Sequence, residues 1–525
     1  MIPESQPRRG LARLVGSIAS VGGLTLVSRV VGFFRDVVIA AVLGAGPIAD
    51  AFFVALRLPN HFRAIFGEGA FNAAFVPAFT RVHEQRGMGP AKLFADRIFT
   101  LLLATQIVLL VGALLFMPAL IRVLAPGFDA DPERFALAVT LTRITFPYLL
   151  LITLVTLYAA ILNALGRFAA ANAAPILLNL SIIVALALAA FFPTAGHAAA
   201  WGVLVSGVLQ FLLVAGDAWR QDALAWLRRP RLDEDTRRFF RVLGPAVIGS
   251  AGVQLSVFAD TIIASFLPQG ALSALYYADR LNQLPIGVIG YAAGVVLLPD
   301  MARRIAAGDE AGAQHARNRV IEFALLLALP CMIAFLMVPD LILRALFARG
   351  AFTAADAAAA GATLSAYAIG LVPFVLMRSM VNTFHARGDT TTPVKASLTA
   401  AAVNIALKVA LMGPLAQVGL ALATSVGAWL NFALLAWFAA RAGLLGIDAM
   451  LRAALAKLAV AGIAMAAAVW VAGGVAQRGF AGWPTLGDEI ALVMVAAAAA
   501  AVYGGAILAL FGRTWLAAFR RRKRT

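Results

Sequence analysis

Residues 96–121 read DRIFTLLLATQIVLLVGALLFMPALI, and from Ile98 to Ile121 nothing in the run is ionisable. About 20 such residues, coiled as an α-helix, cross roughly 30 Å of hydrocarbon. Comparable runs recur throughout the 525 residues, at about 14–43, 48–80, 96–121, 135–165, 169–192, 198–219, 242–267, 271–301, 320–343, 357–385, 394–413, 416–440, 453–475 and 488–511. They predict an all-α polytopic membrane protein of about fourteen transmembrane helices. Composition agrees: 62% of residues are hydrophobic and 13% charged, against roughly 25% charged in a soluble globular protein. Mean hydropathy is +0.89, which leaves too little polar surface to cover a water-facing globule. Arg8, Arg9 and Arg13 ahead of the first run could be misread as a signal peptide, but the apolar pattern simply continues, so a first membrane helix is expected. Pro59 and Gly67 in the second run and Pro285 in the eighth predict broken helices, which are tolerated at membrane depth where they are buried or line a wet cavity.

The basic residues orient these helices. Of 43 Lys and Arg, 30 fall in the N-terminus, the loops 81–97, 167, 220–241, 303–319, 387–395 and 441–457, and the C-terminal tail. The opposite loops hold five: Arg122, Arg134, Arg344, Arg349 and Arg478. Basic loops stay on the cytoplasmic side, so both termini are expected there. The formal net charge of +17 therefore reads as topology rather than nucleic-acid binding, and the tail Arg520–Arg524 as an anchor near anionic lipid.

Short correspondences recur at an offset near 222–229: Ala49-Asp50 with Ala278-Asp279, Leu58-Pro59 with Leu284-Pro285, Pro77 with Pro299, Pro147 with Pro373, and Asn179 with Asn404. Their collinear order predicts an N-terminal lobe at 1–225 (helices 1–6) and a C-terminal lobe at 226–445 (helices 7–12). Residues 446–525 add two helices and a basic cytoplasmic tail. Transporters with such repeats place substrate between lobes and alternate access by rocking.

Eight basic residues lie inside the spans: Arg29, Arg35, Arg57, Arg63, Arg143, Arg280, Arg378 and Lys408. Each costs roughly 2.5–3.5 kcal/mol at a helix centre on insertion scales, so a wet interior is expected rather than lipid. Intramembrane acids are fewer: Asp36, Asp50, Glu68, Asp260 and Asp279, with Asp300 near a boundary. A cationic, water-filled cavity suits an anionic substrate, and guanidinium forks match phosphate oxygens. Arg29, Arg63, Arg280 and Arg35 are the candidate contacts, with internal pairing of Arg35 with Asp36 and of Arg280 with Asp279 as the alternative. Arg57, Arg143 and Arg378 read as structural.

Enzymatic chemistry finds no support. Cys331 is the only cysteine and sits in an apolar run, and the five histidines form no ligand-like pair. No metal site and no cofactor is expected. Asp233-Glu234-Asp235 reads as a solvated charge cluster among arginines, and Gly67-Glu68-Gly69 lacks phosphate-loop spacing.

The strings Ser28-Arg29-Val30-Val31-Gly32-Phe33-Phe34-Arg35-Asp36, Ala49-Asp50-Ala51-Phe52-Phe53, Leu58-Pro59-Asn60 and Gly67-Glu68-Gly69-Ala70-Phe71 closely resemble the MurJ (MviN) lipid II flippase family. Tyr276-Tyr277-Ala278-Asp279-Arg280-Leu281 and Thr390-Thr391-Thr392-Pro393-Val394-Lys395 extend the resemblance over nearly the whole chain, weakest in the last two helices. It implies a member of the multidrug/oligosaccharidyl-lipid/polysaccharide exporter superfamily. The implied activity is transfer of lipid II, the undecaprenyl-diphosphate disaccharide-pentapeptide, from the inner to the outer leaflet of the bacterial cytoplasmic (inner) membrane. Membrane lipids and cell-wall synthesis proteins are the other partners it implies. The family's substrate-contacting arginines fall on Arg29, Arg35, Arg63 and Arg280, and its helix-2 aspartate on Asp50. Some members carry a glutamate where this chain has Gln283. A flippase for another lipid-linked oligosaccharide is the alternative, while an exporter of cationic drugs conflicts with the basic interior.

One further site is expected in the second lobe. Asp260 lies mid-helix, and Lys408 lies four residues after Asn404, on the same helix face. Some superfamily members hold a coupling cation on second-lobe carboxylates, and a lysine amine can take that cation's place. Asp260, Asn404 and Lys408 are therefore a candidate coupling or ion-pair site.

Overall fold

Proline and glycine punctuate the apolar runs, and several helices begin or end at them, while others run through an internal proline. The computed structural model describes the backbone of residues 6–63, 70–480, 483 and 486–520, and the side chains among these except 6–21, 61–63, 70, 248–256, 291–293, 295–296, 477 and 513–520. Every regular element among the described residues is helical, so the all-α polytopic class holds. The helices are α1 (Gln6–Leu43), α2 (Pro47–Arg63), α3 (Ala70–Arg86), α4 (Met88–Leu115), α5 (Met117–Leu124), α6 (Pro132–Thr145), α7 (Pro147–Ala164), α8 (Ala169–Ala187), α9 (Ala195–Arg220) and α10 (Glu234–Ser265). They continue as α11 (Ala271–Pro285), α12 (Tyr291–Ala306), α13 (Glu310–Met337), α14 (Pro339–Phe347), α15 (Ala354–Ala368), α16 (Leu371–His385), α17 (Thr391–Arg441), α18 (Ala449–Phe480) and α19 (Gly487–Arg520).

Local chemistry sets these limits. Proline stands in the first turn of α5, α6, α7 and α14, where its missing N–H would have had no partner anyway. Asp131, Thr194, Asp233 and Asp309 cap α6, α9, α10 and α13 through their side chains, and Thr353 with Asp356 forms a capping box on α15. The break expected at Pro285 is present: a π-helical turn, Ile286–Gly290, separates α11 from α12. At Pro59 there is none, because α2 runs through it to Arg63, and Gly67 lies outside the described residues.

Among the described residues, nine helical segments are long and apolar enough to cross a membrane. The longest, α17, is two helices. At Ala416 its backbone turns to φ 46°, and beyond that point the chain runs back on itself. Asn404 Nδ2 donates to the Ala423 carbonyl at 3.1 Å and Asn431 Nδ2 to Ser397 Oγ at 3.4 Å. A Cβ on Gly419 would stand 2.5 Å from the Leu411 carbonyl oxygen, so the turn accepts only glycine there. This hairpin gives the separate runs 394–413 and 416–440. The other expected spans, 14–43, 48–80, 242–267 and 271–301, carry most of the intramembrane charge.

The chain forms two compact units, Met1–Gly270 and Ala271–Thr525. In the first, α1 packs on α8, α8 on α9, α2 on α6 and α7 on α9. Phe75 anchors its core, stacked on Phe71, Phe79 and Phe94 with centroids 5.2–5.7 Å apart. Phe239 of α10 meets Phe75 edge-on at 6.1 Å. In the second unit, buried Tyr277 of α11 packs against Phe347 and Phe352 at 5.5 and 5.1 Å, and α18 packs on α19.

The repeat is visible as helix order. α4 and α13 begin at Met88 and Glu310, α5 and α14 at Met117 and Pro339, and α6 and α15 at Pro132 and Ala354. α8 and the first arm of α17 begin at Ala169 and Thr391, which keeps the same offset. By packing, however, α10 belongs with the helices that precede it. Gly127 N donates to Ser265 Oγ at 3.0 Å, and a Cβ on Gly127 would lie 2.4 Å from the Ser265 carbonyl oxygen. A side chain at 127 would therefore push α10 away.

Candidate functional site

The candidate residues of the first unit fall into distinct environments. Arg35 is 9% exposed on α1. Its Nε and Nη2 donate to Asp36 Oδ1 at 3.0 and 2.6 Å, and its Nη1 donates to Asn179 Oδ1 of α8 at 2.9 Å. Asn179 Nδ2 in turn donates to the Ser28 carbonyl at 3.1 Å. The guanidinium is thus neutralised by its neighbour and bolts α1 to α8, as a buried charge requires. Arg29, by contrast, is exposed and has no ion pair or hydrogen bond among the described residues. The side chain of Arg63, the last residue of α2, lies outside the described residues, as do Gly67-Glu68-Gly69. Arg57 donates to Thr261 Oγ1 of α10 at 3.4 Å, and Arg143 is exposed.

Asp50 is completely buried near the start of α2. Its Oδ2 accepts from Gly270 N at 2.8 Å and lies 3.6 Å from Arg134 Nη1. Arg134 is 6% exposed and its guanidinium stacks over the Phe128 ring at 4.1 Å. Asp131, which caps α6, receives the Arg134 N–H at 3.1 Å and the Gln269 amide at 2.8 Å. Those hydrogen bonds, the backbone one first, hold its carboxyl below the usual carboxylate range. Gly270 has φ 84°, and a Cβ there would lie 2.6 Å from the Ala45 carbonyl oxygen. Asp50, Arg134 and Asp131 together pin the segment that follows α10.

The acidic cluster at the other end of α10 is also paired. Asp233 bonds Arg97 of α4, and Asp235 bonds Arg86 and, at 3.2 Å, Arg81 of α3. Burial pushes the Asp233 carboxyl up, but hydrogen bonds from Thr236 and the charge of Arg97 outweigh it, and the group sits below its ordinary range. Nearby, Trp226 N donates to buried Asp96 at 2.8 Å.

In the second unit Arg280 is half-buried on α11, its guanidinium 4.7 Å from the Tyr276 ring centroid. Gln283 donates to Asp279 Oδ1 at 3.3 Å, a contact a glutamate would turn into repulsion. Arg378 is exposed on α16. Lys408 is 4% exposed on the first arm of α17, one turn beyond Asn404. Asp260, on α10 of the first unit, is half-buried. Cys331 packs beside the apolar core.

Residues 39–483 match the family model described as "Lipid II flippase MurJ". The chain belongs to that family. It is 42% identical over 423 residues to the "Probable lipid II flippase MurJ" of Rhizobium tropici, covering 80% of this chain and 79% of the relative. To the protein of the same description from Rhizobium meliloti (strain 1021) it is 40% identical over 468 residues, 87% and 86% of the two chains. The solved structure "Lipid II flippase MurJ, inward closed conformation" shares the fold with a TM-score of 0.77 at 22% identity, covering 94% of this chain and 99% of that one.

Beside the family's motifs stand residues with long-range contacts that sequence pattern alone assigns to loops, Arg134 and Arg317 among them buried. Arg134 reads as a loop charge, and Gln269 and Gly270 as a connection. Arg317 is 1% exposed and donates to the Gly446 carbonyl at 2.9 Å, with Asn318 donating there too at 2.8 Å. A signal exists for Arg317: Ala313, Ile321, Ala324 and Ala328, all buried, share its helix face at helical spacing. For the contact between Asp50 and Gly270, which are 220 residues apart in the sequence, there is none.

Proposed function

We propose that this chain is a lipid II flippase, carrying the undecaprenyl-diphosphate-linked peptidoglycan precursor from the inner to the outer leaflet of the cytoplasmic membrane by alternating access. The family match over 39–483 carries this reading. In it both termini and the loop 220–241 face the cytoplasm, 1–225 and 226–445 are the two lobes, and fourteen helices cross the membrane. Arg29, Arg63 and Arg280 bind the diphosphate. The exposure of Arg29 and the half-burial of Arg280 support availability to a ligand. Arg35 and Asp50 serve the site by holding α1 on α8 and α2 on α6. An inside-negative potential favours outward movement of an anion by roughly 2.3 kcal/mol per charge per 100 mV. Expression of the chain in a strain depleted of its lipid II flippase should restore growth and shape. Stable, membrane-inserted protein that fails to do so refutes the reading.

The repeat supports a role for the second-lobe charges. Asp36 and Asn179 correspond to Asp260 and Asn404 at nearly the same offset, while Ala259 stands in the place of Arg35. Lys408 supplies the missing base in this reading and makes transport independent of sodium. Removing one member of a buried pair costs about 3–5 kcal/mol, and removing both is milder. A cycle of Asp260→Asn, Lys408→Met and the double variant should show that pattern in thermal unfolding. Additive losses, or transport that requires sodium, contradict it.

A further inference from the structure

A cavity of ≈ 500 Å³ lies within the first unit among α1, α8 and α9, inside the roughly 300–1,000 Å³ range of small-molecule sites. Its floor is apolar, with Leu24, Leu212 and the bare backbone of Gly216. Its charged rim is Arg167, Asp217 and Arg220. Arg167 Nη2 lies 3.2 Å from Asp217 Oδ1, so those two charges cancel. Arg220 is exposed and has no ion pair among the described residues, which leaves the rim with one uncompensated positive charge. None of the proposed substrate arginines lines this cavity.

We propose that this cavity is a binding site for an anionic phospholipid of the cytoplasmic leaflet. An acyl chain fills the apolar floor, and the phosphate sits on Arg220 with Arg167 beside it. Three observations select this occupant. An apolar floor under a net-positive rim fits an anionic amphiphile and disfavours a cationic one. The rim belongs to the helix ends that adjoin the loops 167 and 220–241, whose surplus of arginine assigns them to the leaflet rich in anionic lipid. Trp219, 69% exposed, and Trp226, 63% exposed, stand next to the rim in the chain, and exposed tryptophans of this kind settle at headgroup depth. Arginine suits the contact because its fork meets two phosphate oxygens. Lipid held here would steady α1 against α8 and α9 without entering the transport path.

Gly216 supplies the test, because a Cβ built there meets nothing within 4 Å. A Gly216→Phe ring therefore enters the cavity without displacing backbone. The full chain is equilibrated with vesicles of equal phosphatidylglycerol and phosphatidylcholine, extracted in mild detergent, and its retained phospholipid counted by native mass spectrometry. Wild type and Gly216→Ala should keep one phosphatidylglycerol that Gly216→Phe lacks. Arg220→Gln should still hold a phospholipid but lose its preference for phosphatidylglycerol by about tenfold, one charge-assisted contact of roughly 1.4 kcal/mol. Equal retention by Gly216→Phe overturns the proposal, as does undiminished selectivity in Arg220→Gln. Displacement by undecaprenyl diphosphate at equal concentration would assign the cavity to the substrate instead. If Gly216→Phe does not fold, the selectivity of Arg220→Gln decides. No translocation is measured, so failure here is separable from failure of the flippase reading.

Discussion

Alanine at Arg29, Arg63 or Arg280 is expected to abolish lipid II translocation while the protein still inserts and folds. Losing one partner of a desolvated charge-assisted contact costs about 2–5 kcal/mol, roughly thirty-fold or more in affinity. Three arginines acting on one diphosphate leave little binding once any is gone. Lysine should restore part of the activity, because it keeps the charge but loses the planar fork that grips two oxygens. Arg143→Ala and Arg378→Ala are the matched controls. Both residues are exposed intramembrane arginines that the proposed site does not use, and their variants should transport normally. Growth supported by all three site variants at normal expression would remove the anion-trap mechanism.

The second large effect concerns Asp50, and it is one of stability. The carboxylate has no exposed surface, and two groups depend on it: the Gly270 N–H at 2.8 Å and the Arg134 guanidinium at 3.6 Å. Asp50→Ala leaves Arg134 buried without that counter-charge and the N–H without its acceptor, at a cost of about 3–5 kcal/mol. Asp50→Asn keeps an acceptor for Gly270 and should lose less. Thermal unfolding of the purified variants measures both. The resemblance alone suggests a substrate contact for Asp50, which makes the opposite prediction: unchanged stability with transport lost. That outcome would return Asp50 to the binding site.

Most of the architecture could be read from the sequence, because membrane helices declare themselves locally. Apolar runs mark the segments and the boundary between 413 and 416, proline marks the break at 285 though not at 59, and the helices recur in the order the repeat predicts. Pairing of charges could not be read in the same way. Arg35 could be a ligand for phosphate or a bolt between helices, and what decides is Asn179, which comes from α8. Asp50 meets Gly270 only because the chain returns after α10. The acidic run 233–235 was legible as a solvated charge cluster, but its arginines Arg81, Arg86 and Arg97 come from α3 and α4. Local pattern fixes which residues are helical; long-range return of the chain fixes which charges are spent.

The most direct measurement places fluorescent lipid II in one leaflet of vesicles that contain the purified full chain. Its appearance in the other leaflet is followed with a membrane-impermeant quencher, with and without an inside-negative potential. The account predicts protein-dependent transfer that the outward-driving potential accelerates. It also predicts that an undecaprenyl-linked analogue without the diphosphate moves far more slowly, and that Arg29→Ala matches protein-free vesicles. Transfer no faster than in protein-free vesicles, or equal movement of the diphosphate-free analogue, would contradict it.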